Sequence, residues 1–488
     1  MTITMEKILQ VAQQGPYTPD WNSLNDFQVP RWFREAKFGI FIHWGLYSVP
    51  AFNNEWYSRN MYINGHPEFD HHVATYGPQK EFGYKDFIPL FTAEKFDPDE
   101  WLALFERAGA RYFFPVAEHH DGFQMYDSEL SQFNSVKMGP KRDILGELKN
   151  AAEKTALHFC TSSHRAEHWF FFGHGRNFDS DVIEQQVKGD FYWPAMPEPD
   201  NQDLYSSPYP TEEFLEDWLL RTCELIDRYQ PEVLYFDWWI QHQAFKEPLK
   251  LLAAFYYNRG VEWGYSTSIS YKHDAMMFGS GIVEIERGKF AEAKPFYWQS
   301  DTAIARNSWC YTETLDYKTV KEIIWDLIEV VSKNGNLLLN VGPKADGSIP
   351  EKDRDILLTI GDWLQINGEG IYESKVWRQA GEGPTEIAEG QFQENNKTSY
   401  TSEDIRFTVK GDSLYAFIME PTSQQLLITS LAISEDQNVP EFHGIIKKVA
   451  VLGQEKPIKS WQQTAAGLEI LLPNLDTELP VVCKITME

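Results

Sequence analysis

The stretch VLYFDWW, residues 233–239, decides the fold of this chain. Four apolar or aromatic residues run straight into a carboxylate, Asp237, and two tryptophans follow at once. An apolar run of that length, ended so abruptly, reads as a parallel strand buried on both faces. In a barrel of such strands the reactive side chains collect at the C-terminal rim. Asp237 is then a carboxylate held on a rigid scaffold and walled by aromatic rings. An isolated Asp at a strand end serves equally well as a turn cap, so the reading depends on what the other strands carry.

Similar short apolar runs occupy 38–43, 112–117, 158–161, 265–270, 282–285 and 336–341. Between them lie amphipathic stretches at 98–108, 143–155, 212–229 and 320–332, with apolar residues at the i, i+3, i+4, i+7 spacing of a helix. Strand–helix alternation over about 350 residues predicts seven or eight βα units and a (β/α)8-like barrel. No GxGxxG or GxxxxGK[ST] motif follows a strand, which removes the nucleotide-binding folds. After NGEG (367–370) the helical period fades, and short alternating runs at 405–410, 413–419, 425–428, 448–452, 468–472 and 480–485 replace it. These predict a C-terminal antiparallel β-sandwich domain. The expected division is a barrel over 1–375 and a sandwich over 376–488. QFQENNKTSYT (391–401) reads as a polar surface loop.

The formal charge of −28 disfavours phosphate backbones and anionic membranes as partners. A neutral, small-molecule substrate fits better. Seventeen tryptophans exceed what core packing asks for, and flat rings that stack on sugar faces are one use for them. The four cysteines are widely spaced and suggest neither zinc nor a disulfide framework. The N-terminus MTITMEKILQVAQQG has no apolar signal region, so a cytoplasmic location is the simplest expectation, although a removed signal would leave the same trace.

Four of the strand ends run into polar chemistry. They are His43 after 38–42, Glu118-His119-His120-Asp121 after 112–117, Asp237 after 233–236, and Glu286-Arg287 after 282–285. Together they predict one polar pocket at the barrel mouth. Glycoside hydrolysis needs two carboxylates, one attacking or activating water and one protonating the leaving oxygen. The short Asp237 suits the nucleophile and the longer Glu286 the acid. Glu284 is the rival for the acid, because two residues back on a strand is the same face. Pairing of Glu286 with Arg287 is the plain structural alternative. The histidines suggest a metal, but HHD is not HExxH and adjacent residues of an extended chain point to opposite sides. Neutral imidazoles hydrogen-bonded to sugar hydroxyls are the preferred reading. Glu55-Trp56 adds an acceptor and a ring.

These residues resemble glycoside hydrolase family 29, the α-L-fucosidases. The resemblance is carried by KFGIFIHWGLYSVPAFNNEWYSRNMY (37–62), EHHDGFQMYDS (118–128), KRDILGEL (141–148), VLYFDW (233–238), NGNLLLNVGPKADGSIP (334–350) and QINGEGIYESKVW (365–377), and it spans about residues 25–380. It implies a (β/α)8-like barrel with a C-terminal β-sandwich, a retaining double displacement, and neither metal nor cofactor. By motif it puts the nucleophile on Asp237, the fucose-binding histidines on His43, His119 and His120, and a hydroxyl-binding glutamate on Glu55. The wall near the sugar methyl falls on Phe41 and Trp309, and Tyr235 stands where the family often has Trp. In one branch the acid ends a strand before a polar pair, which matches Glu286. In another it lies in a Trp-Glu pair, and here Gln299 in that position cannot donate a proton. An arginine carried by many members on the preceding strand is missing from STSISYKHD (266–274), which leaves two readings: Lys272 substitutes for it, or the contact is absent. His164 is a further candidate for the pocket.

The expected function is therefore hydrolysis of a terminal α-L-fucosyl residue from a fucosylated glycan. Three alternatives stand beside it: a related enzyme acting on another terminal sugar such as α-L-galactose, a catalytically lapsed carbohydrate-binding protein, and a metal-dependent hydrolase.

Overall fold

The computed structural model describes residues 2–183, 186–394, 399–434, 436, 438, 442–454 and 458–488. Nine strand segments form one parallel sheet: β1 Phe38–Ile42, β2 Tyr112–Glu118, β3 His158–Phe159, β4 Thr161–Ser163, β5 Val233–Phe236, β6 Ser268–Tyr271, β7 Ile282–Glu286, β8 Trp298–Ala303 and β9 Gly335–Val341. β3 and β4 are two halves of one strand broken at Cys160. β1 pairs with both β2 and β9, so the sheet closes into an eight-stranded barrel.

The interior of the barrel follows from the period of two along each strand. Phe41, Tyr112, Phe114, Val116, Cys160, Val233, Tyr235, Ile282 and Leu338 form an inner core of their own, distinct from the outer core beneath the helices. Gly39 belongs to the same set, because a Cβ there would lie 2.3 Å from the Tyr112 ring. The surrounding helices begin where the sequence supplies caps. Thr319, for example, accepts from the Glu322 amide at 3.2 Å while Glu322 accepts from the Thr319 amide at 2.8 Å, opening the helix Val320–Ser332.

The C-terminal strands are β10 Lys375–Glu382, β11 Ile405–Lys410, β12 Ser413–Ile418, β13 Gln425–Ile428, β14 Ile446–Val451, β15 Ser460–Gln463, β16 Leu468–Leu471 and β17 Val481–Met487. They form antiparallel sheets ordered β10-β11-β12-β17-β14 and β13-β16-β15. Ile405, Phe407, Ala416, Leu426, Ile428, Leu468 and Ile470 share the core between the sheets.

The structure differs from the sequence reading in identifiable places. β8 (WQSDTA) was not anticipated, because its inward positions are the polar Gln299 and Asp301. β10 and β15 are likewise new, being half-buried or exposed strands with little apolar alternation. The stretch 391–401 is not simply a polar surface loop. Residues 395–398 lie outside the described residues, but 390–394 run along the end of β7, with Phe392 N donating to Glu286 O at 2.8 Å and Glu394 N to Arg287 O at 3.0 Å. No described helix is long and apolar enough to cross a membrane.

Candidate active site

The period of two that fills the barrel also builds its mouth. Val233 and Tyr235 point inward, so the next inward position beyond β5 is Asp237. By the same step Ile282 and Glu284 lead to Glu286, Phe41 leads to His43, Ser162 to His164, Ser270 to Lys272 and Leu338 to Asn340. Six strands thus deliver six polar side chains to one layer.

At the centre of that layer is the Lys272 ammonium, 2.8 Å from Asp237 Oδ1 and 2.5 Å from Glu286 Oε2. One cation therefore holds both carboxylates. Those two oxygens can be no farther apart than the two contacts laid end to end, about 5.3 Å. The other Asp237 oxygen accepts from His164 Nδ1 at 2.9 Å and lies 3.3 Å from His120 Nε2. Burial works against the Asp237 charge, yet Lys272, His164 and His120 outweigh it and hold the carboxyl well below the usual range. Glu286 Oε2 also accepts from Trp238 Nε1 at 2.7 Å.

The four histidines differ in state. Burial and neighbouring imidazoles push His43 and His119 well below the ordinary value, and burial brings His164 to about 4. His120 is the exception to the expectation of neutral rings. Burial lowers it, but Glu167 at 3.5 Å and Asp237 more than offset that and raise it to about 9. His43 Nδ1 meets Asn340 Oδ1 at 2.6 Å, while the buried His119 Nδ1 has no protein partner. Glu55 is fixed by the Trp309 amide at 3.0 Å, and burial raises its pKa.

Two groups, His43/His119/His164 and His120/His164/Asp237, bring ligand atoms within 4.8 Å of one another. Both depend on His164, whose Nε2 lies 2.9 Å from Ser162 Oγ and whose Nδ1 binds Asp237. A cation there would have to break one of these bonds and sit near the Lys272 ammonium, so the donor set does not suit a metal.

The remaining predicted residues fall around this layer. Phe41 is fully buried, with its ring 4.6 Å from His43 and 5.1 Å from Tyr235, so it backs the floor of the site. Tyr235 is 1% exposed and donates to Asp301 Oδ2 at 3.1 Å. Trp309 is half-buried, its ring 5.1 Å from His43 and covered by the Arg287 guanidinium at 4.4 Å. Trp56 packs 5.6 Å from His120. Arg287 pairs with Glu394 at 2.5 Å, not with Glu286. Glu284 is 0% exposed and bonded to Gln299 at 3.0 Å, too deep to reach a substrate at the mouth. Glu118 and Asp121 leave the site: Glu118 receives Arg165 and Arg221, and Asp121 receives Tyr84 Oη and the Phe123 amide. Only one of the two tryptophans walls the site. Trp239, at φ 79°, turns away and packs 4.8 Å from Phe170.

Asn340, Glu167 and Ser162 are contributors that motif reading missed. Asn340 and Ser162 had a signal, since each lies on the inward face of its strand. Glu167 had none, because a short 3₁₀ turn brings it back beneath His120.

The α-L-fucosidase family profile matches residues 4–369, and the α-L-fucosidase C-terminal domain profile matches 396–486. This chain belongs to the α-L-fucosidase family. It is a glycoside hydrolase. Among its relatives, the tissue α-L-fucosidase of Homo sapiens is 31% identical over 477 residues, covering 96% of this chain and 91% of that protein. The human plasma α-L-fucosidase is 30% identical over 476 residues, covering 94% and 89%. The crystal structure of Thermotoga maritima α-fucosidase in complex with fucose is 31% identical with a TM-score of 0.72, covering 96% of this chain and all of that one.

Proposed function

We propose that this glycoside hydrolase removes terminal α-L-fucosyl residues from glycans by a retaining double displacement. The observation that carries the reading is the single ammonium gripping both carboxylates. It limits Asp237 Oδ1 and Glu286 Oε2 to about 5.3 Å from each other, whereas retaining enzymes place their two carboxyl groups at about 5–5.5 Å and inverting enzymes at about 6.5–9.5 Å. Asp237, kept ionised by three neighbours, attacks the anomeric carbon. Glu286 protonates the leaving oxygen, then takes a proton from the water that releases the sugar. Lys272 and Trp238 both bond to Glu286 Oε2, leaving the other carboxyl oxygen for the proton.

The unpartnered His119 nitrogen, with His43, His120 and Glu55, supplies hydrogen-bonding groups for the sugar hydroxyls. Trp309 offers an apolar ring for the sugar methyl. Fucose as the sugar is supported by the relatives that bear that activity in their names.

The test is hydrolysis of 4-nitrophenyl α-L-fucoside, with the product anomer read by NMR before it equilibrates. The α anomer is expected first. Asp237→Gly should lose at least about 10³-fold in rate, and added azide should restore turnover as a fucosyl azide. Initial release of the β anomer overturns retention, and turnover of α-L-galactosides alone overturns the choice of sugar.

A further inference from the structure

Phe392 belongs to the connection between β10 and β11, yet it stands at the mouth of the barrel. The backbone of its segment is pinned to the end of β7 on both sides. Gly390 N donates to Lys289 O at 3.0 Å, Phe392 N to Glu286 O at 2.8 Å, and Glu394 N to Arg287 O at 3.0 Å. The Gln391 side chain accepts from the Glu286 amide and donates to Glu284 O at 3.2 Å. Glu394 is buried against Arg287 and Lys318. A segment held this firmly nevertheless presents a phenyl ring that is 51% exposed, on a backbone at φ 57°. Both features cost free energy, because apolar area stays in water and a non-glycine residue sits in the left-handed region. Neither is needed for the docking, which the flanking bonds already secure.

The ring lies 5.9 Å from that of Trp238, nearly parallel at 20°. Trp238 in turn bonds to Glu286, the residue that protonates the leaving oxygen in the reading above. A leaving group must emerge beside its proton donor, so the exposed Phe392 ring, stacked on Trp238, adjoins its path.

We infer that Phe392 and Trp238 form a stacking platform for the leaving group, one that prefers a pyranose ring next to the scissile bond. The connection to the β-sandwich domain thereby contributes a specificity-determining side chain to the barrel. This rests on the fucosidase reading and on Glu286 as the acid.

The experiment compares two substrates that need the same proton but differ in having a ring to stack: a fucosyl disaccharide and methyl α-L-fucoside. Phe392→Ala should lower kcat/KM about three- to tenfold for the disaccharide and leave methyl α-L-fucoside unchanged, with Phe392→Tyr restoring the first. Equal losses on both substrates, or none on either, overturn the platform, because Phe392 would then be acting on Glu286 or on nothing. A wild type that hydrolyses neither substrate refutes the fucosidase reading itself, and the platform falls with it.

Discussion

Lys272 is the residue on which this site turns. It is 2% exposed and touches both carboxylates, so its charge is felt at low effective dielectric. Its ammonium also lies over the rings of Tyr235 and Trp238, 5.3 and 4.9 Å from their centres. Asp237 has to be ionised to attack, and the ammonium helps to hold its proton off. Removing that charge raises the carboxyl pKa, so activity is lost at a higher pH on the acid side. Lys272→Met should lower kcat/KM at least about 100-fold and move the acid limb of its pH profile upward. Lys272→Arg should keep the limb near its original position, because the charge survives. An acid limb in Lys272→Met that coincides with that of the wild type would show that the ammonium does not set the nucleophile's ionisation.

At the scale of the strand, polar residues explain both what the sequence reveals and what it conceals. β5 is legible to the residue, since Val233–Phe236 is apolar on both faces and Asp237 breaks it. The helices Glu212–Tyr229 and Val320–Ser332 are equally legible from their apolar period. Asp237, Glu286 and His43 could be read as rim residues because each follows an apolar run. β8 could not be read, because its inward positions serve a polar network in place of the core. There Gln299 bonds Tyr112 Oη at 2.7 Å and Glu284, and Asp301 accepts from Tyr235. The facing atoms Glu284 Oε1 and Asp301 Oδ1 have no other donor, and a proton on one carboxyl supplies it. Burial accordingly pushes Glu284 well up and Asp301 to about 7. Folded Asp301 thus keeps its proton far above the ordinary 3.8. Its contribution to stability is complete below that value and is lost as pH rises through about 7. Asp301→Asn carries no such dependence. Its stability relative to wild type should improve by about 2–4 kcal/mol between pH 4 and pH 8, as measured by chemical denaturation at each pH. A difference that does not change with pH would mean that Asp301 is ionised throughout.

Over the whole molecule, barrel and sandwich are joined by charge as well as by packing. Trp325 Nε1 donates to Met419 O and Trp363 Nε1 to Pro480 O, each at 2.7 Å. On the same helix as Trp325 sits Glu329, 0% exposed, bonded to Lys333 at 2.5 Å, to Arg406 of β11 at 2.6 Å and to Tyr400 Oη at 2.9 Å. Burial opposes its charge, but Lys333, Arg406 and Lys289 prevail and bring its pKa down to about 2. The stability this gives is present above the ordinary value of 4.5 and is lost as pH falls through about 2. Arg406→Met takes away the one cation that the sandwich contributes to this group among the described residues, leaving Glu329 buried with less compensation. Such losses cost about 3 kcal/mol. The carboxyl of the variant regains a proton at a higher pH than in the wild type, and neutralising it relieves the penalty. The loss of stability should therefore be greatest near pH 8 and shrink towards pH 4, measured by urea denaturation across that range. Arg406 also lies 5.6 Å from the centre of the Tyr400 ring. A loss of equal size at both pH values would assign its role to that packing and not to the charge shared across the junction.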